Sequence, residues 1–253
     1  MALVLGEFTA PESVCMYLPP RMASNQYRTM VEVSAEEFQQ MLVRGWRRFG
    51  PVYFRPACGG CRECVPIRVP VKAFQPTKSQ RRAQQKCAAL TLEIGTPKVD
   101  DERLALYHRW HHMREAERGW PGSAVTKDEY QMEFCWPHPC AREFAYYDGT
   151  RLIAIGYVDQ TSVALSSIYF FYEPEYKERA IGIASVLREI ETARELGLTH
   201  VYLGFRVLGC PSMEYKTQFR PHELLVDRPE AGDEPVWAAE ENWNARTSCP
   251  RSD

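Results

Sequence analysis

The chain has 253 residues, of which 45% are hydrophobic and 25% are charged, as is usual for a globular protein of one large or two small domains. Its formal net charge of −2 gives no sign of a polyanionic partner for the whole molecule. No run of about 18 apolar residues is present, which argues against a transmembrane helix. The N-terminus lacks the basic segment of a secretory signal, and nine cysteines are an odd number for a disulfide framework. We therefore expect reduced thiols and a cytoplasmic location.

Charge is unevenly spread along the chain. Residues 38–92 contain eleven Lys and Arg against one acid, Glu63, whereas residues 223–253 contain eight acids against three Arg. A basic segment of this kind favours contact with a phosphate backbone. The alternative is a solvated surface that is balanced by acids from elsewhere in the fold.

The N-terminal region, residues 1–95, is predicted to contain both element types. Ser34 and Glu37 form the pattern of a capping box at a helix start. The predicted elements are a helix over 34–48, strands over 52–55, 66–71 and 90–94, and a polar helix that begins at Thr77 or Ser79.

Residues 96–229 are predicted to form a second unit. The order is helices over 102–118 and 126–136, strands over 143–147, 152–159 and 164–172, a helix over 183–196, and strands over 200–205 and 224–226. The helix over 183–196 has an apolar stripe at helical spacing, with Glu189 among the residues of its polar face. Residues 230–253 form an acidic tail whose composition is typical of disorder.

The segment RAIGIAS at 179–185 stands between a predicted strand and this helix. A turn that contains Gly182 at a helix start presents free backbone N–H groups to an anion, and Arg179 adds a positive charge. The pattern resembles the acyl-donor loop of the GNAT acetyltransferase fold; the alternative is a plain helix-entry turn. We expect an α+β, GNAT-like fold with a mostly antiparallel sheet flanked by helices.

Cys58, Cys61 and Cys64 stand in a glycine-containing turn, with two residues between each cysteine and the next. Thiolates at this spacing can bind one soft metal ion, with Cys15 or Cys87 as a fourth ligand. The candidates are zinc and an iron–sulfur cluster; the alternatives are a redox role and plain buried thiols.

Two further segments carry candidate binding residues. The helix that contains Lys78, Ser79, Arg81 and Arg82 has no acid, which favours phosphate contact over a solvated surface. After the strand over 200–205, Lys216 follows Tyr215 and could bind an anion; the alternative is a loop packed on the core.

At these motifs the chain resembles the bacterial aminoacyl-tRNA–protein transferases, most closely the aspartate/glutamate leucyltransferase branch. The matching segments are CMYLP at 15–19, YFRPACGGCRECVPIRVPV at 53–71, FQPTKSQRR at 74–82, YFFYEP at 169–174 and YLGFRVLGCPSMEYKTQFRPHELL at 202–225. The chain departs from the usual pattern at Glu173, Phe205 and Glu214 and in the segment ERAIG, which leaves leucine or arginine open as the donor amino acid.

The resemblance implies that a GNAT-like domain binds aminoacyl-tRNA, most readily Leu-tRNA, in place of acetyl-CoA. The acceptor would be a protein that begins with Asp or Glu, and the product would enter N-degron degradation. The aminoacyl ester is already activated, so the chemistry needs no cofactor. The implied roles are acceptor binding or catalysis for Lys216, Tyr215, Tyr202 and Tyr172, contact with the tRNA 3′ end for Arg179 and Gly182, contact with the tRNA backbone for Lys78, Ser79, Arg81 and Arg82, and a structural or regulatory metal site for Cys15, Cys58, Cys61 and Cys64.

Two other functions compete with this one. A coenzyme A-dependent N-acetyltransferase would explain the donor loop but not the basic N-terminal region. A metal-bearing RNA-binding module would explain the basic helix and the cysteines but not the GNAT-like half.

Overall fold

The computed structural model describes residues 1–118, 122 and 124–247. The strands are β1 (Leu3–Thr9), β2 (Ser13–Val14), β3 (Met22–Ala23), β4 (Asn25–Val31), β5 (Arg47–Phe49), β6 (Val52–Pro56), β7 (Val65–Pro70), β8 (Thr91–Gly95), β9 (Ala141–Asp148), β10 (Arg151–Gln160), β11 (Ala164–Tyr172), β12 (His200–Arg206), β13 (Glu223–Leu225) and β14 (Trp237–Ala239). The helices are α1 (Ala35–Leu42), α2 (Lys78–Lys86), α3 (Asp101–Arg118), α4 (Lys127–Phe134), α5 (Ile181–Glu195), α6 (Pro211–Glu214) and α7 (Glu240–Thr247), with 3₁₀ turns at Pro174–Arg179 and Tyr215–Gln218.

One large sheet organises the chain. Its eight strands follow the order β14-β13-β7-β12-β11-β10-β9-β8. Among the described residues, β11 and β12 are its one parallel pair, and the other neighbours run antiparallel. A four-stranded antiparallel sheet, β1-β4-β6-β5, packs beside it. The predicted α+β class with a mostly antiparallel sheet is confirmed.

Helices cover both faces of the large sheet because side chains alternate along each strand. Phe144 and Tyr146 of β9 pack with α5 in one apolar core, whereas Ala145 between them packs with α3 and α4 in another. A third core joins α1, the four-stranded sheet and the start of β11. Helix α2 lies against α5 on the first face.

The predicted helix over 34–48 is too long. Ser34 and Glu37 form the expected capping box, but α1 ends at Leu42. Gly45 has φ = 82°, a left-handed conformation that interrupts a helix. Arg47 then begins β5, so the end of the predicted helix is a strand of the small sheet.

The predicted boundary at residue 95 does not separate two sheets. Strand β7 from the N-terminal region lies between β13 and β12, and β8 forms the opposite edge of the same sheet. Within the tail, for which the composition predicts disorder, residues 237–239 form β14, which pairs with β13. The indole N–H of Trp243 also donates to the carbonyl oxygen of Leu225 at 3.0 Å, which fastens α7 to β13.

Among the described residues, no helix is long and apolar enough to cross a bilayer.

Candidate active-site cleft

The parallel strands β11 and β12 separate after three paired positions. The last pair is Ser166 with Tyr202, yet β11 continues to Tyr172 and β12 to Arg206. Backbone groups that face such a gap need other partners, since a buried unpaired carbonyl is costly. We call the gap beyond Ser166 and Tyr202 the β11–β12 cleft.

Arg47 enters this cleft from β5. One guanidinium nitrogen, Nη1, donates to Ser166 Oγ at 2.7 Å, and Nη2 donates to the carbonyl oxygen of Ser167. Burial lowers the pKa of Arg47 to about 10, so the side chain remains a cation near neutral pH. Within the described residues no carboxylate lies within ion-pair distance of Arg47. The cleft therefore contains a buried positive charge.

Lys216 approaches the cleft from the 3₁₀ turn that follows α6. Its Nζ donates to the carbonyl oxygen of Phe205 at 3.0 Å and lies 3.7 Å from the Met213 sulfur. Only 9% of the residue is exposed. Burial, and secondly the charge of Arg47, lowers the pKa of Lys216 to about 7. A substantial fraction of this amine is thus neutral at neutral pH.

A bulge in β12 brings the two cations towards one point. The pairing of β12 with β7 shifts register between Tyr202 and Phe205, and Gly204 in the bulge has φ = 82°. A β carbon at 204 would lie 3.5 Å from Lys216 Nζ and 3.9 Å from Arg47 Nη2. Glycine leaves this space free, and only glycine adopts such a backbone without strain.

A buried carboxyl group lies behind the cleft on α5. Glu189 is 2% exposed, and the hydroxyl of Ser167 donates to its Oε1 at 3.2 Å. Burial raises the pKa of Glu189 to about 8. The sequence pattern predicts Glu189 on the polar face of its helix, and this prediction is wrong because the sheet covers α5 on one side and α2 covers it on another.

The structure brings some of the predicted tyrosines to this cleft and not others. Tyr215 is 41% exposed beside Lys216. Tyr202 lies at the last paired position, where its hydroxyl accepts from Arg68 Nη1 at 3.1 Å. Tyr172 is six residues beyond Ser166 on β11, or about 20 Å along the strand. Its ring packs near Trp110 of α3, away from Lys216.

The predicted donor loop forms the uncapped start of α5. Ala180 at the N-cap has φ = 57°, and no side chain caps the helix. A β carbon at Gly182 would have no atom within 4 Å, so a ligand could approach the backbone there. Arg179 is exposed and lies over the Tyr176 ring at 4.6 Å. The start of α5 shares a cavity of about 490 Å³ with Arg81 of α2.

Helix α2 presents the four predicted tRNA-contact residues to solvent. Lys78, Ser79, Arg81 and Arg82 are all exposed. The buried Gln80 donates through Nε2 to the carbonyl oxygen of Gln218 at 3.2 Å, which ties α2 to the turn that carries Lys216. By contrast, Arg47, Arg48 and Arg55 are buried and hydrogen-bonded within the protein, so they are not part of the basic surface.

The four predicted metal ligands line one cavity of about 320 Å³. Backbone N–H groups of Leu18 and Ser24 point at the sulfurs of Cys15 and Cys58, and Arg21 Nη1 points at Cys61, each at 3.4 Å. Cys87 lies elsewhere, against the carbonyl oxygen of Arg179. No three His, Cys, Asp or Glu residues are arranged to hold a metal ion in the part of the chain that is described. The metal site stays a prediction.

Comparison with known proteins gives consistent matches. Residues 102–226 match the family model described as "Arginine-tRNA-protein transferase, C terminus", and residues 13–82 match the corresponding N-terminus model. An aspartate/glutamate leucyltransferase of Campylobacter jejuni is 31% identical over 219 residues, which are 86% of this chain and 92% of that protein. A second, from Halorhodospira halophila, is 33% identical over 215 residues, which are 85% and 91% of the two chains.

A solved structure titled FemX superposes with a TM-score of 0.50 and 9% identity, covering 83% of this chain and 70% of that one. At this identity the likeness concerns the fold alone. The expected α+β, GNAT-like fold with a mostly antiparallel sheet flanked by helices is confirmed.

Proposed function

The chain belongs to the family of the aspartate/glutamate leucyltransferases, and on that premise we propose that it transfers a leucyl group from Leu-tRNA to the N-terminal α-amine of proteins that begin with Asp or Glu. The observation that carries the proposal is the buried Lys216 in the β11–β12 cleft, on a turn that the Gln80–Gln218 hydrogen bond joins to the basic helix α2. Transfer of labelled leucine from charged tRNA to such acceptors tests it. The reduced cysteines and the tRNA substrate favour a cytoplasmic reaction, and the product would enter N-degron degradation.

The reaction forms a peptide bond and breaks an ester. The α-amine attacks the aminoacyl carbonyl carbon, and the bond to the terminal ribose oxygen of the tRNA then breaks. The amine loses a proton and the ribose oxygen gains one. An α-amine has a reference pKa of about 7.7–8.0, so a base near the cleft must accept a proton from much of the bound acceptor.

Lys216 fits the role of that base. Its pKa of about 7 keeps part of its amine neutral, and its Nζ lies beside Gly204, where no side chain separates it from Arg47. Arg47 supplies a fixed positive charge close to the same point, where it can stabilise the oxyanion of the tetrahedral intermediate. Of the two tyrosines near this point, Tyr215 is partly exposed and is available for positioning of the substrates, whereas the hydroxyl of the buried Tyr202 is engaged by Arg68.

The tRNA would lie across α2 and the start of α5. The exposed basic side chains of α2 would contact the phosphate backbone of the tRNA. Arg179 and the open backbone at Gly182 would contact its 3′ end. The cavity that joins Arg81 to the start of α5 makes this surface continuous.

Simultaneous change of Lys78, Arg81 and Arg82 to Ala should weaken tRNA binding and flatten its salt dependence. Each lost phosphate contact lowers the slope of log affinity against log salt by about 1. Binding of charged tRNA at several salt concentrations measures this slope. Lys127→Ala, which removes an exposed base on α4, is the control and should leave the slope unchanged. An equal slope in the triple variant and the parent would refute the proposed tRNA surface.

A further inference from the structure

A cavity of about 660 Å³ lies beyond the end of β12 and is strongly basic. Arginines dominate its charged lining, which comprises Arg44, Arg55, Arg62, Arg206 and Arg228 against the acids Glu63 and Asp227. The rest of the wall includes apolar side chains such as Val65, Leu225 and Trp243. Two of the five arginines, Arg55 and Arg206, are buried, and a partly apolar cavity with an excess of cations attracts an anion.

Three of these arginines are engaged by the protein backbone. Arg44 donates to the carbonyl oxygens of residues 230 and 233, Arg55 to that of Pro229, and Arg228 to those of Cys58 and Cys61. These side chains fasten the segment after β13 and the cysteine turn to the body of the protein. Their position is explained without a ligand.

Arg206 is different because one edge of its guanidinium group has no partner. The residue is 1% exposed, and within the described residues its Nε and Nη2 lack hydrogen-bond partners. The group lies over the Trp243 ring at 4.8 Å, and Nη1 is 4.0 Å from Glu240. Glu240 is also 2.9 Å from Arg220 and 3.6 Å from His222, so this carboxylate does not neutralise Arg206 alone.

The unpartnered edge is the one that arginines of this protein use to bind carboxylates. Arg48 engages Asp159 through Nε and Nη2, Arg103 engages Glu143 through the same two nitrogens, and Arg109 engages Glu173 likewise. These two parallel N–H groups match the two oxygens of a carboxylate. In Arg206 the same pair of donors is buried, aligned by its stack on Trp243, and unused.

We propose that Arg206 binds the side-chain carboxylate of the acceptor's first residue and so selects proteins that begin with Asp or Glu. The inference rests on the proposed function and names the specificity-determining group of that site. Arg206 and Phe205 share a peptide bond, and the carbonyl of Phe205 accepts from Lys216 Nζ. The backbone next to Arg206 therefore contacts the proposed base, and an acceptor bound in this cavity would lie on the same segment of β12 as Lys216 Nζ.

A tRNA phosphate is the less suitable occupant. Surfaces that bind a nucleic-acid phosphate backbone are open and hydrated. The exposed Lys and Arg side chains suited to binding phosphate lie on α2. Arg206 is fully buried beside Leu225 and Trp243, where a single carboxylate can be desolvated and paired.

Arg206→Met tests the proposal through discrimination between acceptors. Acceptor peptides that begin with Glu and with Gln are compared by kcat/KM, because Gln has the same shape without the charge. The wild type should favour Glu on the order of 10²-fold, as expected for a buried charge pair, and Arg206→Met should bring the ratio near 1. Arg206→Lys, which keeps the charge but loses the fork, should give an intermediate ratio. Arg228 lines the same cavity. As a control, Arg228→Met should retain the wild-type ratio of kcat/KM for Glu and Gln acceptors.

Binding without turnover separates this inference from the proposed function. The dipeptide Glu-Ala should raise the melting temperature of the wild type more than Gln-Ala does, whether or not leucine is transferred. Arg206→Met should remove this difference, and Arg206→Lys should reduce it. An unchanged Glu/Gln ratio together with weakened Leu-tRNA binding would identify a phosphate as the occupant and overturn the proposal. An unchanged ratio with unchanged tRNA binding would overturn it as well.

Discussion

Replacement of Lys216 by Ala is expected to lower kcat by about 10²–10⁴-fold, the usual contribution of a positioned proton acceptor. Affinity for Leu-tRNA should change little, because Nζ is buried in the β11–β12 cleft and not on the basic helix. The physical reason is the loss of an amine whose pKa is lowered to about 7 by burial and by the charge of Arg47, and which would accept the proton of the acceptor's α-amine. Single-turnover transfer at saturating substrates measures the chemical step.

The pH dependence distinguishes catalysis from structural support. The pKa of Lys216 is lowered to about 7, so the neutral base accumulates as pH rises, and transfer should rise through about pH 7. Small primary amines added to Lys216→Ala should restore activity in proportion to their neutral fraction. Lys216→Arg, which keeps a permanent charge, should remain as slow as Lys216→Ala. A Lys216→Arg variant with wild-type rate would show that the residue binds as a cation and does not accept the proton.

Replacement of Asp159 by Ala is expected to lower the free energy of unfolding by about 3–5 kcal/mol, because it leaves the buried Arg48 without its partner. Arg48 donates to Asp159 through Nε at 3.0 Å and through Nη2, and both side chains are nearly inaccessible to solvent. The pair joins β5 of the small sheet to β10 of the large one, and Arg47 of the cleft is the neighbouring residue. Urea unfolding monitored by circular dichroism gives the stability change.

The matched control is an ion pair of the same kind at the surface. Lys127 and Asp101 are 2.9 Å apart and largely solvated, so Lys127→Ala should cost less than about 1 kcal/mol. A loss below 1 kcal/mol for Asp159→Ala would mean that the two sheets hold together without this pair. Reduced transfer in a folded Asp159→Ala protein would then reflect displacement of Arg47.

Elements with strong periodicity could be predicted from the sequence, and others could not. The apolar stripe of α5 and the run of strands β9, β10 and β11 carry the signal of a buried face. Strand β1 does not, since all seven of its residues are exposed and its stability comes from pairing with β4. The sequence predicts a helix where β5 lies, because Trp46 continues the helical spacing of the apolar residues before it. The left-handed backbone of Gly45 shows the break.

The candidate site divides in the same way. Lys216 could be identified because it follows Tyr215 in a loop after a strand. The basic residues of α2 could be identified because their helix contains no acid. Arg47, Glu189 and Arg206 resemble ordinary surface charges in sequence, and their importance depends on contacts with distant residues such as Ser166, Ser167 and Trp243. No local pattern encodes such contacts.

The most direct test of the proposed activity is transfer from charged tRNA to defined N-termini. Radiolabelled Leu-tRNA and Arg-tRNA would be offered separately, with model proteins that begin with Asp, Glu, Lys or Ala. We expect label to move from Leu-tRNA to the Asp and Glu proteins only, and to disappear from them in Lys216→Ala. Label that moves only from Arg-tRNA would change the donor, and no transfer from either tRNA would contradict the proposed function.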